Sequence, residues 1–259
     1  MADVNLLLFF GLGIAAFFAG LVDAVVGGGG LIQLPALLSV FPNLQPATIF
    51  GTNKLASIVG TSSAAIQYGR RVRIPWLVAL PGAISALIGS WCGATAVTYL
   101  PTTILRPVIL ILLILVAVYT FIKKDFGVAT DRELSEKRQI IVALLIGTVI
   151  GFYDGFFGPG TGSFLIFLFV RFAAMDFLKA AVTSKIVNVA TNFAAISFFV
   201  LHVELLWLVG LIMAVCNLFG AIIGSRLALK HGATFVRKMF LMIVCVLIAK
   251  IAYDVLIST

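Results

Sequence analysis

Apolar positions in this chain run in long blocks rather than in one-faced stripes. The blocks cover about 4–41, 47–68, 75–98, 104–122, 139–170, 178–200, 205–226 and 238–257. Most are about 20 residues long, the length at which one helix crosses the hydrocarbon core of a bilayer. Two are too long for a single crossing, and each is interrupted. Gly27-Gly28-Gly29-Gly30 breaks the first, and Gly158-Pro159-Gly160-Thr161-Gly162 breaks the block at 139–170. Glycine in a helix interior costs about 1 kcal/mol relative to alanine, so four in a row predict a break. Each long block therefore reads as two helical pieces around a break, expected to fold as a hairpin.

Composition narrows the class. Of 259 residues 62% are hydrophobic and 11% charged, against about 25% charged in an average soluble domain. That excludes a soluble enzyme, a disordered tail and a disulfide-built scaffold. Cys92, Cys216 and Cys245 lie apart in apolar stretches, with no metal-ligand spacing to His202 or His231, and read as small hydrophobes. The N-terminus, MADVNLLLFF, lacks a basic n-region and a cleavage site and reads as a retained membrane segment.

The net charge of +8 would suggest nucleic acid in a soluble protein, but here the basic residues mark topology. Arg70, Arg71 and Arg73 share one loop; Lys123, Lys124, Arg132, Lys137 and Arg138 share another. Arg171 and Lys179 flank a third, and Arg226, Lys230, Arg237 and Lys238 a fourth, whereas segments 1–5, 42–46 and 201–206 hold none. The positive-inside rule puts the basic loops in the cytoplasm. No nucleic-acid partner is expected.

Sliding the chain against itself gives one ungapped offset, 131 residues, that works throughout. Gly20, Asp23, Gly27 and Gly29 fall on Gly151, Asp154, Gly158 and Gly160; Thr52-Asn53-Lys54 falls on Thr183-Ser184-Lys185; Trp76 falls on Trp207. Gly89 and Gly93 fall on Gly220 and Gly224, pairs whose GxxxG spacing assigns them to helix packing. The loop before Trp76 is basic and the loop before Trp207 is not, so equivalent loops are expected on opposite faces. The predicted fold is an all-α polytopic membrane protein of two inverted-topology repeats, each a glycine-broken hairpin plus three transmembrane helices. Repeat 1 spans 1–122, a charged cytoplasmic linker 123–138, and repeat 2 139–259. Both termini are expected outside the cytoplasm of a bacterial inner membrane.

Matched glycine breaks in two repeats point to a substrate site near the midplane. A broken helix exposes amides at the partly positive start of its second half, and glycine admits a ligand close to the backbone. The expected anion contacts are Gly28, Gly29, Gly30 and Leu31 in one break and Gly160, Thr161, Gly162 and Ser163 in the other. Lys54 and Lys185 lie deep in apolar stretches, where an ionisable side chain marks function by default. Asn53, Ser57 and Thr61 recur at helical spacing beside Lys54; Ser184, Asn188 and Asn192 do so beside Lys185. Asp23 and Asp154 are expected to pair with the lysines, to cap the broken helices or to carry a proton. Pairing costs least, because isolated buried charges are expensive.

The segments GLVDAVVGGGGLIQLPAL, GTNKLAS, GFYDGFFGPGTGSF and the second-half TSK…N resemble the TauE/SafE sulfite-exporter family, domain-of-unknown-function family 81, and within it the YfcA-like branch. The resemblance covers nearly the whole chain. It implies movement of small sulfur-containing anions such as sulfite, sulfoacetate and other organosulfonates. With no P-loop and no cofactor called for, the expected activity is secondary transport, an exporter working by alternating access. Uptake of another anion, or passage of a cation held by Asp23 and Asp154, remains an open alternative, as do proton or sodium coupling and homo-oligomerisation. An intramembrane aspartyl protease is the reading from a different class, since two carboxylates lie in apolar stretches. GxGD is absent, and such an enzyme has no use for matching lysines.

Overall fold

Chain segments that are apolar all round become helices whose outer faces stay apolar and whose polar residues turn inward. In the computed structural model, residues 6–101, 103–105, 108, 111 and 134–257 are described, with side chains described between 7 and 232. Helix α1 is Leu6–Val26, α2 Gly30–Val40, α3 Pro46–Gly69 and α4 Trp76–Tyr99. After the linker come α5 (Glu136–Phe156), α6 (Thr161–Phe172), α7 (Phe177–His202) and α8 (Trp207–Ile257), the last broken by a kink at Gly232, where φ is +70° and ψ −167°. Among the described residues there are no strands. Most of the block at about 104–122, most of the linker and both extreme termini lie outside the described residues.

Among the described residues, five helices are long and apolar enough to cross a membrane: Leu7–Val26, Trp76–Tyr99, Glu136–Phe156, Phe177–His202 and Trp207–Gly232. Their outer faces carry exposed Phe10, Ile88, Val149 and Leu211, while Gln33, Thr52, Thr183 and Ser90 are fully buried. That distribution inverts the one expected in water and fits hydrocarbon as the surrounding solvent. α3 is as long as α4, 24 residues, but falls short in hydropathy because it carries the inward-facing Thr52, Asn53, Lys54 and Thr61. Pro46 opens it at the first helical turn, where the missing amide hydrogen costs nothing. Asp176 caps α7 by accepting from the Lys179 amide at 2.9 Å. Partial burial alone would raise the Asp176 carboxyl, but the Lys179 amide and ammonium bring it below its usual range.

Both glycine breaks form as the sequence predicts. Gly27 ends α1 with φ +82°, and Gly158 follows α5 with φ +97°, a left-handed conformation that favours glycine at helix ends. After Gly27 the chain doubles back on α1: a Cβ on Gly29 would lie 2.6 Å from the Ala19 carbonyl oxygen. In the second break the Tyr153 hydroxyl donates to the Pro159 carbonyl at 2.5 Å. The Tyr153 ring also meets Phe164 of α6 edge-on, with centroids 5.5 Å apart. α2 and α6 have 11 and 12 residues, or about 17–18 Å at 1.5 Å per residue, well short of the bilayer core.

The two halves interlock through equivalent contacts. α1 lies on α8, and α5 lies on α4. A Cβ on Gly220 of α8 would sit 1.9 Å from the Phe17 carbonyl oxygen of α1; on Gly89 of α4 it would sit 2.4 Å from Thr148 of α5. Those two contacts are related by the 131-residue offset at both partners. Small residues thus let backbones touch where a larger side chain has no room. Gly220→Leu is expected to lower the thermal unfolding midpoint of the detergent-purified protein, with a cost of about 1–3 kcal/mol or more from overpacking. Gly11→Ala is the control, because its Cβ would meet nothing within 4 Å, and it should leave the midpoint unchanged or slightly raised.

Candidate functional site

Lys54 sits eight residues after Pro46 in α3, and Lys185 eight residues after Phe177 in α7. At 1.5 Å per residue that is about 12 Å inside each helix. Each lysine reaches across to the aspartate of the other half. Lys54 Nζ lies 2.6 Å from Asp154 Oδ2, and Lys185 Nζ lies 3.2 Å from Asp23 Oδ2. The offset of 131 maps one pair onto the other. Lys185 also donates to the Asp23 backbone carbonyl at the end of α1.

The pairs are not equally enclosed. Both members of Lys54–Asp154 are at most 4% exposed, whereas Asp23 is 15% exposed above a 1% exposed Lys185. Asp154 is further held by the Thr161 hydroxyl, 2.7 Å from Oδ1 at the first residue of α6. Asp23 accepts from the Thr61 hydroxyl of α3 at 3.2 Å. Charge-assisted contacts of this kind offset the cost of burying the ions. Two lysines and two aspartates leave the centre formally neutral.

The two breaks meet back to back between these pairs. A Cβ on Gly27 would fall 2.3 Å from the carbonyl carbon of Gly162, and one on Gly162 would fall 2.5 Å from Gly27 Cα. Ser163 ties the contact: its hydroxyl donates to the Val26 carbonyl at 2.7 Å and its amide to the Gly27 carbonyl at 3.2 Å. Gly158 is less confined, its Cβ position being 3.1 Å from Lys54 Nζ. Glycine at Gly27 is thus required twice, for the positive φ and for the close approach, and at Gly158 chiefly for the positive φ.

A small cavity opens at this junction, walled by Asp23, Gly30, Asn53, Lys54, Asp154 and Thr161, together with Ser57, Gly162, Asn188 and Asn192. Those residues were all expected in the site. Gly27, Thr61 and Gly158 also line it; they were not among the expected contacts, although the repeat alignment and the polar stripe on α3 point to them. At about 20 Å³ it has room for about one water molecule. Asn53 Oδ1 and Ser184 Oγ, at equivalent positions in the repeats, are buried with no hydrogen-bond partner among the described residues. Such atoms cost about 1–3 kcal/mol each unless something pairs with them.

The other expected residues lie behind the wall. Gly29 packs on Ala19 and the Asp23 Cβ, and Gly28 faces Val22, Leu31 and Ser163. The Leu31 amide is taken by the Gly28 carbonyl at 3.1 Å. Gly160 provides the left-handed turn before α6, with φ +82°. Ser163 serves the junction and Lys185 is turned to Asp23 rather than to the cavity. The amides of Leu31, Thr161 and Ser163 are taken by backbone carbonyls of the two breaks, so those three are no longer offered to a ligand. The sequence reading missed Gln33, fully buried on α2, which accepts from Ser57 at 3.3 Å and from Asn217 at 3.5 Å. A lone amide within the apolar run GLIQLPALL was the signal available for it.

The model of the family described as sulfite exporter TauE/SafE matches residues 12–251. The chain belongs to that family. A TauE/SafE relative named probable membrane transporter protein ORF9, from Sinorhizobium sp., is 35% identical over 254 residues, covering 98% of this chain and 96% of its own length. Probable membrane transporter protein YfcA of Escherichia coli (strain K12) is 34% identical over 239 residues, with 92% and 87% covered. A probable membrane transporter protein of Haemophilus influenzae is 32% identical, with 92% of each chain covered. No solved structure matches the chain. This TauE/SafE chain is thus a polytopic helical membrane protein of a transporter family, and the paired charges lie at its centre. Among the described residues no three His, Cys, Asp or Glu side chains group as a metal site.

The ion pair makes a stability prediction. Lys54→Ala strands Asp154 in a buried site and is expected to cost about 3–5 kcal/mol. The double variant Lys54→Met, Asp154→Leu removes both charges and should recover most of that loss, read by thermal unfolding of purified protein in detergent. A double variant as unstable as the single one would mean that the pair is not what the fold depends on here.

Proposed function

We propose that this protein is a secondary transporter that exports sulfite or a closely related small sulfur-containing or organosulfonate anion across the bacterial inner membrane. The observation that carries the reading is the junction itself. Two glycine breaks from equivalent places in the chain meet at a cavity with Lys54, Asn53, Asn188 and the start of α6 on its wall. Amide, ammonium and carboxamide groups are donors suited to a compact oxyanion. Each aspartate faces a lysine of the other half rather than the second aspartate, which favours binding over proteolysis by a proton-sharing pair. The name of the matching family supplies the sulfur oxyanion.

Alternating access follows from the inverted arrangement of the repeats. The cavity is too small for sulfite as it stands, so the two halves must part on one side at a time, with Lys54 turning from Asp154 toward the anion. The charges support the orientation. Arg70, Arg71, Arg226 and Lys230 gather around a single cavity at one end of the bundle, and the positive-inside rule makes that end cytoplasmic. The exposed Trp76 and Trp207 then open their helices at opposite interfaces, and both termini are periplasmic. Export of an anion from a negative-inside cell is favoured by about 2.3 kcal/mol per charge per 100 mV, so no nucleotide is needed.

Proteoliposomes loaded with sulfite test the reading. Protein-dependent efflux is expected, faster when the lumen is made negative, and abolished in the folded Lys54→Met, Asp154→Leu variant. Absence of sulfite efflux from liposomes holding folded protein would remove the substrate assignment. Undiminished efflux in the double variant would remove the site.

A further inference from the structure

Away from the central site, two cavities adjoin at the basic end of the bundle. One, of about 690 Å³, is lined by Arg70, Arg71, Arg226 and Lys230. All four cations are exposed, and none has a carboxylate within ion-pair distance among the described residues. The other, of about 650 Å³, runs between α3 and α8 and is lined mainly by Ile58, Val59, Ile66, Leu218 and Ile222. Gln67, Arg70 and Arg226 belong to both walls. A cationic pocket therefore leads directly into an apolar groove, and the groove lies on helices whose outer faces meet the bilayer.

We propose that this composite is a binding site for one anionic phospholipid. Its phosphate is held by Arg70, Arg71, Arg226 and Lys230, and an acyl chain lies in the α3–α8 groove. Charge complementarity and the continuity of the two walls select this occupant over a free anion, which has no use for an apolar groove of that size. Guanidinium groups suit the head group because they bind phosphate in a planar, forked geometry. A lipid held there joins α3 of the first half to α8 of the second. The assignment stands apart from the transport reading, since none of the four cations belongs to the central cavity.

The test uses delipidated full-length protein in neutral detergent, titrated with phosphatidylglycerol or phosphatidylcholine and read by native mass spectrometry and thermal shift. Phosphatidylglycerol is expected to bind at least about thirtyfold more tightly, and Arg70→Gln, Arg226→Gln should cut that preference by about the same factor. Arg70→Lys, Arg226→Lys should keep most of it. Equal retention of the two lipids by the unaltered protein overturns the proposal. So does stabilisation by inorganic phosphate alone that matches phosphatidylglycerol, the outcome of a free-anion site. Both of these measurements need no variant, so a misfolded double substitution leaves the question decidable.

Discussion

Two lysine–aspartate pairs, each drawn from opposite halves of the chain, are the constraint around which this structure is arranged. Lys54 with Asp154 and Lys185 with Asp23 place four charges where hydrocarbon surrounds the bundle. An uncompensated charge at that depth is so costly that the halves must stay in the register that brings the partners together. The glycine breaks follow from the same need. A Cβ at Gly27 or Gly162 would push the breaks apart and with them the carboxylates at the ends of α1 and α5. The interlocked packing of α1 on α8 and of α5 on α4 then holds the breaks against one another from outside.

Crosswise pairing also shapes the chemistry available. In the proposed anion export, a centre with no net charge offers no attraction over a distance, and selectivity rests on donors at contact. Such donors line the cavity as the Lys54 ammonium and the carboxamides of Asn53, Asn188 and Asn192, the Thr161 hydroxyl being committed to Asp154. The long-range part of the field comes from elsewhere. The cations at the end of the bundle are exposed and line an open cavity, while the paired charges are buried inside. One chain thus carries two separate uses of positive charge, distinguished by burial and by the presence of a partner.

Much of the site could be read from the chain because the duplication made weak signals add. A single Asp, a single buried Lys or one run of glycines supports several explanations; the same three at a common offset of 131 residues do not. Periodicity along α3 and α7 was enough to put Asn53, Ser57, Asn188 and Asn192 on one wall. It failed for Ser184, which is buried with its hydroxyl unpaired, and for Lys185, because the two repeats do not face the cavity equally. Asp154 is enclosed with Thr161 beside it, while Asp23 reaches Thr61 on another helix. Two of the amides expected to meet a ligand are already used, that of Leu31 by its own turn and that of Ser163 by the Gly27 carbonyl of the other break.

The sequence by itself determined that this chain lives in a bilayer, that one set of residues recurs at an offset of 131, and which residues break its helices. Those properties depend on local composition and spacing, since an apolar run of sufficient length and a string of glycines behave alike in almost any context. Only the tertiary structure decided which lysine meets which aspartate, that the breaks touch at Gly27 and Gly162, and that Gln33 and Asn217 join the polar interior. Those outcomes depend on contacts between residues a hundred or more positions apart, where each partner is chosen by geometry across the bundle and no local pattern in the chain records it.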